Sequence, residues 1–464
     1  MSASPTDGRT ARLAGLLPGC GVVALGAVAW PYTVDDAWIT ARYASRIALG
    51  HGYTFQDGPP TDGVTGPAWV LPGMLAEWVG SDPMFAQKLA GLVLMGIAVG
   101  WLGAQLARGA GARTRVAAYT VLVVPQATTT IWSVAGLETG LAAWALAACA
   151  VGAWRRSAWL GVGAFVVAWV RPELLVASTV LIVWRGRRRD RWLAAMGVAS
   201  VVVFRLALFG DALPLSFWAK GGSLADGIRY AVAGTVVITG LGGLVLAAWA
   251  RDRRARAWAV AVVLHAVVVG LLGGDWMPGY RLLAPTIPVY AALAALGAQR
   301  IAIARSKRLA LGLVAMACML PAIDYVAQIG PARASAEDRR GAAALAESLR
   351  DYDVALVDIG YLRHDARANT VDLAGLTDPF VARLPGGHVD KAIPVAYLER
   401  RDPEVLLFHA RAEPEVDGEG RLVRLAGHPV ERRLAASSWV RARYRVREIR
   451  PYAEGYWYVW LERR

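Results

Sequence analysis

Residues 30–38 read Trp30-Pro31-Tyr32-Thr33-Val34-Asp35-Asp36-Ala37-Trp38 and follow an apolar segment, residues 12–30. That segment is long enough to cross the hydrocarbon core of a bilayer. Two adjacent carboxylates at a membrane exit are costly to hold near lipid, and charged residues in such places usually serve a function. The stretch therefore predicts a membrane protein with chemistry at the boundary between water and membrane.

The composition also indicates a protein that crosses the membrane many times. The chain has 464 residues, of which 56% are hydrophobic, whereas soluble domains contain about 45–50% apolar residues. Its three cysteines all lie in apolar segments and are too few for a disulfide framework. The apolar residues are concentrated in about eleven candidate spans: 12–30, 84–106, 116–132, 138–153, 157–171, 173–184, 192–209, 231–249, 257–273, 281–299 and 309–328.

The distribution of charge orients these spans. The net charge is +14, but the basic residues are concentrated in short loops, which is typical of cytoplasmic loops rather than of a nucleic-acid-binding surface. With a cytoplasmic N-terminus every Arg-rich loop faces the cytoplasm. An odd number of spans then places the C-terminus outside. We therefore predict a membrane domain, residues 1–328, and an extracytoplasmic domain, residues 329–464.

One apolar segment, residues 64–80, does not fit a span. It lies in the predicted first outer loop, residues 31–83, and contains Pro67, Pro72 and Glu77. Counting it as a span would invert every later loop and place the Arg clusters outside, against the positive-inside rule. We therefore predict an interfacial or re-entrant helix here.

Residues 329–464 differ in character from the rest of the chain. Charged residues become frequent, and a helical stretch at 335–350 precedes short β-like runs. These runs are 354–358, 370–373, 405–408, 444–447 and 456–461. Strands that alternate with helical or loop segments predict a small α/β domain.

The predicted topology places unusual polar residues on the outer face. They come from five separate loops: Asp35 with Asp36, Glu138, Arg171 with Glu173, Lys220, and Asp275 with Trp276, Tyr280 and Arg281. Any membrane protein has polar loops, but acids and cations contributed by five loops favour a site at the mouth of a helix bundle, since perturbed charges cluster at functional positions.

Several roles remain open for the two acids and for the histidine of the first outer loop. Asp35 or Asp36 could act as a base, because a carboxylate near a low-dielectric boundary becomes more basic. The pair could also share a divalent cation, or one acid could only cap the helix that follows. His51, in the loop Gly50-His51-Gly52, could bind substrate or be an ordinary surface histidine.

The cations suggest a phosphate group. Lys220 is one of four lysines in the chain and could bind lipid phosphate or extend to the membrane surface. Arg281 opens a predicted helix, where the helix dipole and the guanidinium both attract an anion. Glu138, Arg171 and Glu173 fit a structural ion pair between helices as well as a direct role.

The longer patterns resemble a known family. An Asp-Asp pair in the first outer loop, many spans and an outer C-terminal domain resemble the GT-C superfamily of polyprenyl-phosphate-dependent glycosyltransferases. Within it, the chain resembles the mycobacterial terminal arabinofuranosyltransferase group, which uses decaprenyl-phosphoryl-arabinose. The stretches that carry this resemblance are 35–43, 50–52, 274–277, 281–285 and 372–379.

The resemblance implies an enzyme of the bacterial inner (plasma) membrane that acts on its outer face. A polyprenyl-phosphate sugar would be the donor, and a hydroxyl of a cell-envelope glycan the acceptor. Asp36 or Asp35 would be the base or orient the donor, and Lys220 and Arg281 would neutralise the departing phosphate. No cofactor is required by this reading, although a divalent cation stays open.

Three alternatives remain at the sequence level. Trp276 and Pro278 stand where the arabinofuranosyltransferase group would have Phe and His, so another sugar such as mannose remains open. A transporter or flippase of lipid-linked glycans would carry charges near the bilayer midplane and two related halves. A non-catalytic assembly protein would not need the clustered outer acids.

Overall fold

The computed structural model describes residues 13–250, 252–453 and 455–464. The protein is mostly helical, with a sheet in its C-terminal region. Residue 12, where the first predicted span begins, and Arg251 of a predicted Arg-rich loop lie outside the described residues.

Fifteen helices precede the sheet among the described residues. They are α1 (Leu17–Val28), α2 (Asp35–Ala48), α3 (Val70–Trp78), α4 (Pro83–Leu106), α5 (Ala112–Val123), α6 (Ala127–Val134), α7 (Thr139–Arg155), α8 (Trp159–Val170), α9 (Leu175–Arg185), α10 (Arg188–Phe209), α11 (Leu215–Ala219), α12 (Leu224–Trp249), α13 (Arg253–Leu271), α14 (Ile287–Ala304) and α15 (Lys307–Ser348). Short 3-10 helices occur at Pro67–Trp69, Pro172–Leu174 and Arg281–Thr286.

Six of the described helical segments are long and apolar enough to cross a membrane. They are α4, α10, α12, Arg254–Leu271, Arg281–Ala304 and α15, and a seventh results if α6 and α7 count as one span despite a 119° bend between them. Helices α1 and α8 are apolar but have 12 residues each, whereas a crossing takes about 20. The apolar helices indicate membrane association, but the eleven predicted spans are not confirmed.

Several predicted spans are divided by local breaks that hydropathy does not register. Pro125 separates α5 from α6 within the predicted span 116–132, because proline lacks the N–H that would continue the helix. Gly136 lies in the turn between α6 and α7 with φ +88°, a backbone conformation that favours glycine. Arg171 is extended ahead of Pro172, as residues before proline usually are.

Residues 64–80 form only a 3-10 turn and the nine-residue helix α3. A helix of that length is about 13 Å long, which is too short to cross a bilayer. The interfacial or re-entrant position of this segment stays a prediction.

Helix α15 joins the two predicted domains. It runs for 42 residues, through Pro321 and Pro331. The predicted boundary between residues 328 and 329 thus lies inside a continuous helix, and the change in composition there marks where its apolar part ends.

The C-terminal region contains the predicted sheet. Its strands are β1 (Val354–Leu356), β2 (Thr370–Asp372), β3 (Val405–Ala410), β4 (Glu415–Val416), β5 (Leu422–Arg424), β6 (Tyr444–Ala453) and β7 (Tyr456–Arg463). Four short helices accompany them: α16 (Pro379–Ala382), α17 (Val395–Arg401), α18 (Pro429–Ala436) and α19 (Ser438–Arg443). The five-stranded sheet has the order β2-β1-β3-β7-β6, with parallel pairs around β1 and antiparallel pairs around β7. All five predicted β-runs are confirmed as strands.

The core of the C-terminal region extends into the first loop. Ile39 and Tyr43 of α2 and Phe55 of the loop are buried in the same apolar cluster as the sheet. Arg42 donates hydrogen bonds to the carbonyls of Arg363 at 2.6 Å and His364 at 2.7 Å. Helix α2 therefore fixes the sheet-containing region directly above the start of the helix bundle.

Candidate functional site

Asp35 and Asp36 form the first turn of α2, but their carboxylates face different partners. Successive residues of an α-helix point about 100° apart. The N-cap position is Val34, so neither acid occupies the capping position considered from the sequence. Both acids still interact favourably with the positive end of the helix dipole.

Asp36 lies in a group of opposite charges, here called the cation cluster: Asp36, Lys220, Asp275 and Arg281. Lys220 Nζ donates to Asp36 Oδ2 at 3.2 Å, and a guanidinium nitrogen of Arg281 lies 4.0 Å from the same oxygen. Another nitrogen of Arg281 lies 2.7 Å from Asp275. The Asp36 side chain is 18% exposed and that of Asp275 only 4%. Asp36 is therefore the acid of this cluster that a ligand can reach.

Arg281 is held in place by the turn before it. Tyr280 adopts the left-handed conformation, with φ +50°, and so reverses the chain just ahead of Arg281. The guanidinium lies 5.6 Å from the ring centre of Trp132. The indole N–H of Trp132 donates to the carbonyl of Gly279 at 3.0 Å. These contacts fix a cation that sequence reasoning assigned to phosphate binding.

Lys220 is brought in by a different loop. It follows α11, where Ser216 lies 2.8 Å from Thr65 through their hydroxyl oxygens. A Cβ on Gly222 would lie 2.7 Å from the Cα of Gly273, so the loop of Lys220 and the loop of Asp275 pack backbone to backbone. Two glycines thus allow the close approach that assembles the cluster.

The electrostatics keep Asp36 ionised. Burial raises the pKa of Asp36, but Lys220 and Arg281, and more weakly His388, outweigh burial and hold the pKa below its ordinary value. Burial and Lys220 lower the pKa of His388 to about 4, so this imidazole is neutral at physiological pH. Arg281 Nε and His388 Nδ1 are among the buried polar atoms of the described residues that have no hydrogen-bond partner, and a polar ligand could supply one.

Asp35 faces the sheet instead. Its two carboxylate oxygens accept hydrogen bonds from the backbone N–H groups of Gly360 at 2.9 Å and Tyr361 at 2.8 Å. Burial and the nearby Asp358 carboxylate raise the pKa of Asp35 to about 7. With these separate partners, the two adjacent acids are not arranged as a joint pair of ligands for one cation.

Asp35 belongs to a group that we call the sheet-side network: Asp35, Asp358, His409 and Glu431, of which His409 and Glu431 are buried. The two imidazole nitrogens of His409 contact Asp358 at 2.6 Å and Glu431 at 2.9 Å. Burial alone would lower the pKa of His409, but the two carboxylates raise it well above its ordinary value. His409, His428 and Glu431 are close enough to hold a metal ion, yet His409 already uses both nitrogens for carboxylates, so an ion-pair network fits these residues better.

Glu138, Arg171 and Glu173 form a separate buried ion group. Arg171 lies 2.6 Å from Glu138 and 3.1 Å from Glu173. His265 connects this group to the cation cluster, because its ring nitrogens contact the carbonyls of Glu173 and Leu282, the residue after Arg281. These contacts agree with the structural ion pair that the sequence suggested. A direct role of the three residues in substrate binding stays a prediction.

The remaining predicted site residues lie at the surface or beside the cluster. His51 is exposed, and its backbone N–H donates to Arg46 in the turn after α2. Trp276 is 68% exposed. Tyr280 packs edge-on against Tyr230. The fold thus brings together Asp36, Lys220, Asp275 and Arg281. His51 and Trp276 lie outside that cluster, and the backbone turn at Tyr280 helps to position Arg281.

Sequence reasoning missed His388, Trp132 and the sheet-side network. Gly386-Gly387-His388 is a loop histidine flanked by glycines, a pattern that could have been noted. Trp132 lies in an apolar run and His409 in a β-run, where a functional side chain cannot be distinguished from a core residue by periodicity.

A family model for a domain of unknown function, DUF8728, matches residues 327–460. The match covers the end of α15 and the sheet-containing region rather than the helices that carry the cation cluster. No curated protein matches the chain.

Proposed function

We propose that the chain is a membrane glycosyltransferase of the GT-C type. It moves a sugar, with arabinofuranose as the first candidate, from a polyprenyl-phosphate donor to a hydroxyl of a cell-envelope glycan. The reaction takes place on the outer face of a bacterial plasma membrane, with the N-terminus cytoplasmic and the sheet-containing region outside. One observation carries the proposal: a partly exposed Asp36 carboxylate held between Lys220 and Arg281.

The two cations suit a phosphate better than they suit a carboxylate alone. Lysine and arginine are the usual ligands of phosphate oxygens, and Arg281 keeps a buried, unpartnered Nε. A donor phosphate that binds here would compete with Asp36 for the same charges. As the cations turn to the phosphate, the pKa of Asp36 rises towards its ordinary value and the carboxylate becomes a better base.

The proposed step is a single displacement. The acceptor hydroxyl oxygen forms a bond to the anomeric carbon of the sugar while its proton passes to Asp36. The bond from that carbon to the phosphate oxygen breaks, and its electron pair leaves with the polyprenyl phosphate. Lys220 and Arg281 stabilise the charge that develops on the departing phosphate. A displacement of this kind inverts the anomeric configuration, so a retaining outcome would remove Asp36 from the role of base.

Asp35 has a positioning role in this proposal. Its carboxylate fixes the first turn of α2 to the loop of Gly360 and Tyr361, and that turn orients Asp36. A transporter of lipid-linked glycans is the competing function. The charges that support transfer lie at the ends of helices, which favours chemistry at the membrane surface over passage through its middle.

The decisive experiment uses the full-length protein in proteoliposomes with a radiolabelled polyprenyl-phosphate arabinose or mannose and a glycan acceptor. Asp36→Asn should lower the rate of transfer about 10²- to 10⁴-fold, the usual contribution of general base catalysis. Asp35→Asn, the comparison variant, keeps one of the two acceptor oxygens that bind Gly360 and Tyr361 and should lower the rate less than Asp36→Asn does.

Three outcomes would count against the proposal. Full activity in both variants would remove the base assignment. Movement of labelled donor across the bilayer without transfer to acceptor would establish the transporter. A reporter fused to the C-terminus that is active only in the cytoplasm would invert the topology.

A further inference from the structure

A cavity lies at the opposite end of the helix bundle from the cation cluster. Its volume is about 570 Å³, within the range of about 300–1,000 Å³ that small-ligand sites occupy. Glu138 directly precedes α7, and Arg281 begins the 3-10 segment that leads into α14. Both residues lie at the end of the bundle that holds the cation cluster. The far ends of the same helices, at Trp154 and Ala304, line this cavity.

The cavity wall is positively charged. Arg108, Arg115 and Arg300 contribute three guanidinium groups, and Asp252 is the acid among the lining residues. The carboxylate of Asp252 accepts a hydrogen bond from the backbone N–H of Arg254 at 2.8 Å. Its charge is therefore directed to the start of α13, and the cavity keeps an excess of positive charge.

Arg115 and Arg300 differ in how tightly their contacts hold them. Arg115 donates to the carbonyls of Leu106 at 2.9 Å and Ala110 at 2.8 Å, and to the Gln299 side chain at 2.6 Å. It is a fixed part of the wall. Arg300 is exposed at the rim, where its guanidinium can move towards a bound group.

Two tryptophans complete the site. Trp154 and Trp258 both line the cavity, with ring centres 5.1 Å apart. The guanidinium of Arg254 lies 5.6 Å from the ring centre of Trp154 and adds a further cation nearby. Tryptophan beside arginine is the combination found where membrane proteins meet lipid headgroups.

We propose that this cavity binds an anionic phosphate group, and that the group is the head of an anionic phospholipid. An arginine-rich pocket between membrane helices on the cytoplasmic side is suited to such heads, and the partly exposed Trp154 can contact the glycerol and the upper acyl chain. A free phosphate offers similar anionic oxygens but has no acyl chain. This site does not depend on glycosyl transfer at Asp36.

The experiment is a lipid titration of the full-length protein in neutral detergent, followed by native mass spectrometry. Phosphatidylglycerol, phosphatidylcholine and inorganic phosphate are the three probes. We expect tighter binding of phosphatidylglycerol than of phosphatidylcholine. Arg108→Gln with Arg300→Gln should weaken phosphatidylglycerol binding by about fivefold for each arginine removed.

Two further variants make the result interpretable. Arg308→Gln removes an exposed arginine at the start of α15, which is not among the residues lining the cavity, and should bind as the unmodified protein does. Ala304→Phe fills the rim of the cavity while keeping every charge, and should also weaken binding. This second variant tests the site even if the double arginine variant does not fold.

The outcomes separate the sources of the anion. Displacement of phosphatidylglycerol by millimolar inorganic phosphate would support the anion site and assign it to a free phosphate. Persistence of the bound lipid would assign it to the phospholipid head. Equal binding of both lipids, or an equal loss in Arg308→Gln, would overturn the proposal.

Discussion

Asp35 and Asp36 are neighbours in the chain, yet their carboxylates belong to two different regions of the molecule. Asp36 belongs to the cation cluster, where Lys220 and Arg281 hold its pKa below the ordinary value. Asp35 belongs to the sheet-side network, where it accepts hydrogen bonds from two backbone N–H groups and where burial and Asp358 raise its pKa to about 7.

The difference teaches that an Asp-Asp motif need not be a pair of equivalent acids. One residue of helical rotation places one carboxylate beside the side-chain cations Lys220 and Arg281 and the other against the backbone N–H groups of Gly360 and Tyr361. The cation cluster is partly exposed and can exchange partners, as a site that binds an anion must. The sheet-side network is held by buried His409 and Glu431 and should contribute to stability rather than to chemistry.

The largest expected effect comes from His409→Gln. Removing this imidazolium leaves the fully buried Glu431 without its charged partner, and breaking a buried ion pair in this way costs about 3–5 kcal/mol of stability. Thermal unfolding in detergent measures the loss. His364→Gln is the control, because His364 contacts a largely exposed Asp365 and such pairs contribute about 0–1 kcal/mol. A slower transfer rate at unchanged stability would show that the sheet-side network takes part in the chemistry of the cation cluster.

Gly360→Ala should have the next largest effect. A Cβ at this position would lie 2.1 Å from the carbonyl oxygen of Asp35 and 2.5 Å from its carboxylate, so the contact between α2 and the sheet region must open. We expect a loss of about 1–3 kcal/mol, measured as accelerated proteolysis of the C-terminal region. Gly418→Ala, where an added Cβ meets nothing within 4 Å, is the matched control. Equal effects of the two substitutions would contradict the proposed role of Asp35.

Lys220→Met tests the cation cluster. Loss of one charged partner of the donor phosphate should raise the KM for the polyprenyl-phosphate sugar about tenfold, since a hydrogen bond to a charged group contributes roughly 1.5–3 kcal/mol and this one is partly exposed. Lys220→Arg should restore part of the affinity. Stability should change little. An unchanged KM together with a lower melting temperature would make Lys220 a structural residue.

The smallest effect concerns pH. The pKa of Asp35 is about 7 in the folded chain and about 3.9 when unfolded. Between these values the folded chain binds more protons, so stability falls as the pH rises from about 4 to about 7. Over this range the melting temperature of the unmodified protein should fall more than that of Asp35→Asn. Parallel pH curves for the two proteins would refute the raised pKa.

Much of the fold and part of the site were predictable from the sequence. The strands β1, β2, β3, β6 and β7 follow from β-branched and aromatic runs, and the cations Lys220 and Arg281 from their place in predicted outer loops. The number of spans was not predictable, because Pro125, Gly136 and Pro172 divide apolar segments that a hydropathy average treats as whole. The ion group of Arg171 was foreseen as a pair, but its connection to Leu282 through His265 was not.

The sequence by itself determined a membrane-associated helical protein with a sheet-containing C-terminal region, since length, hydropathy and residue alternation are local properties of the chain. It also identified Asp36, Lys220, Asp275 and Arg281 as candidate site residues. Only the tertiary structure decided which acid faces the cations, because that depends on the rotation of α2 and on loops more than a hundred residues away. The contacts of Asp35 with Gly360 and of His409 with Asp358 arise from the same long-range packing, whose partners no local pattern specifies.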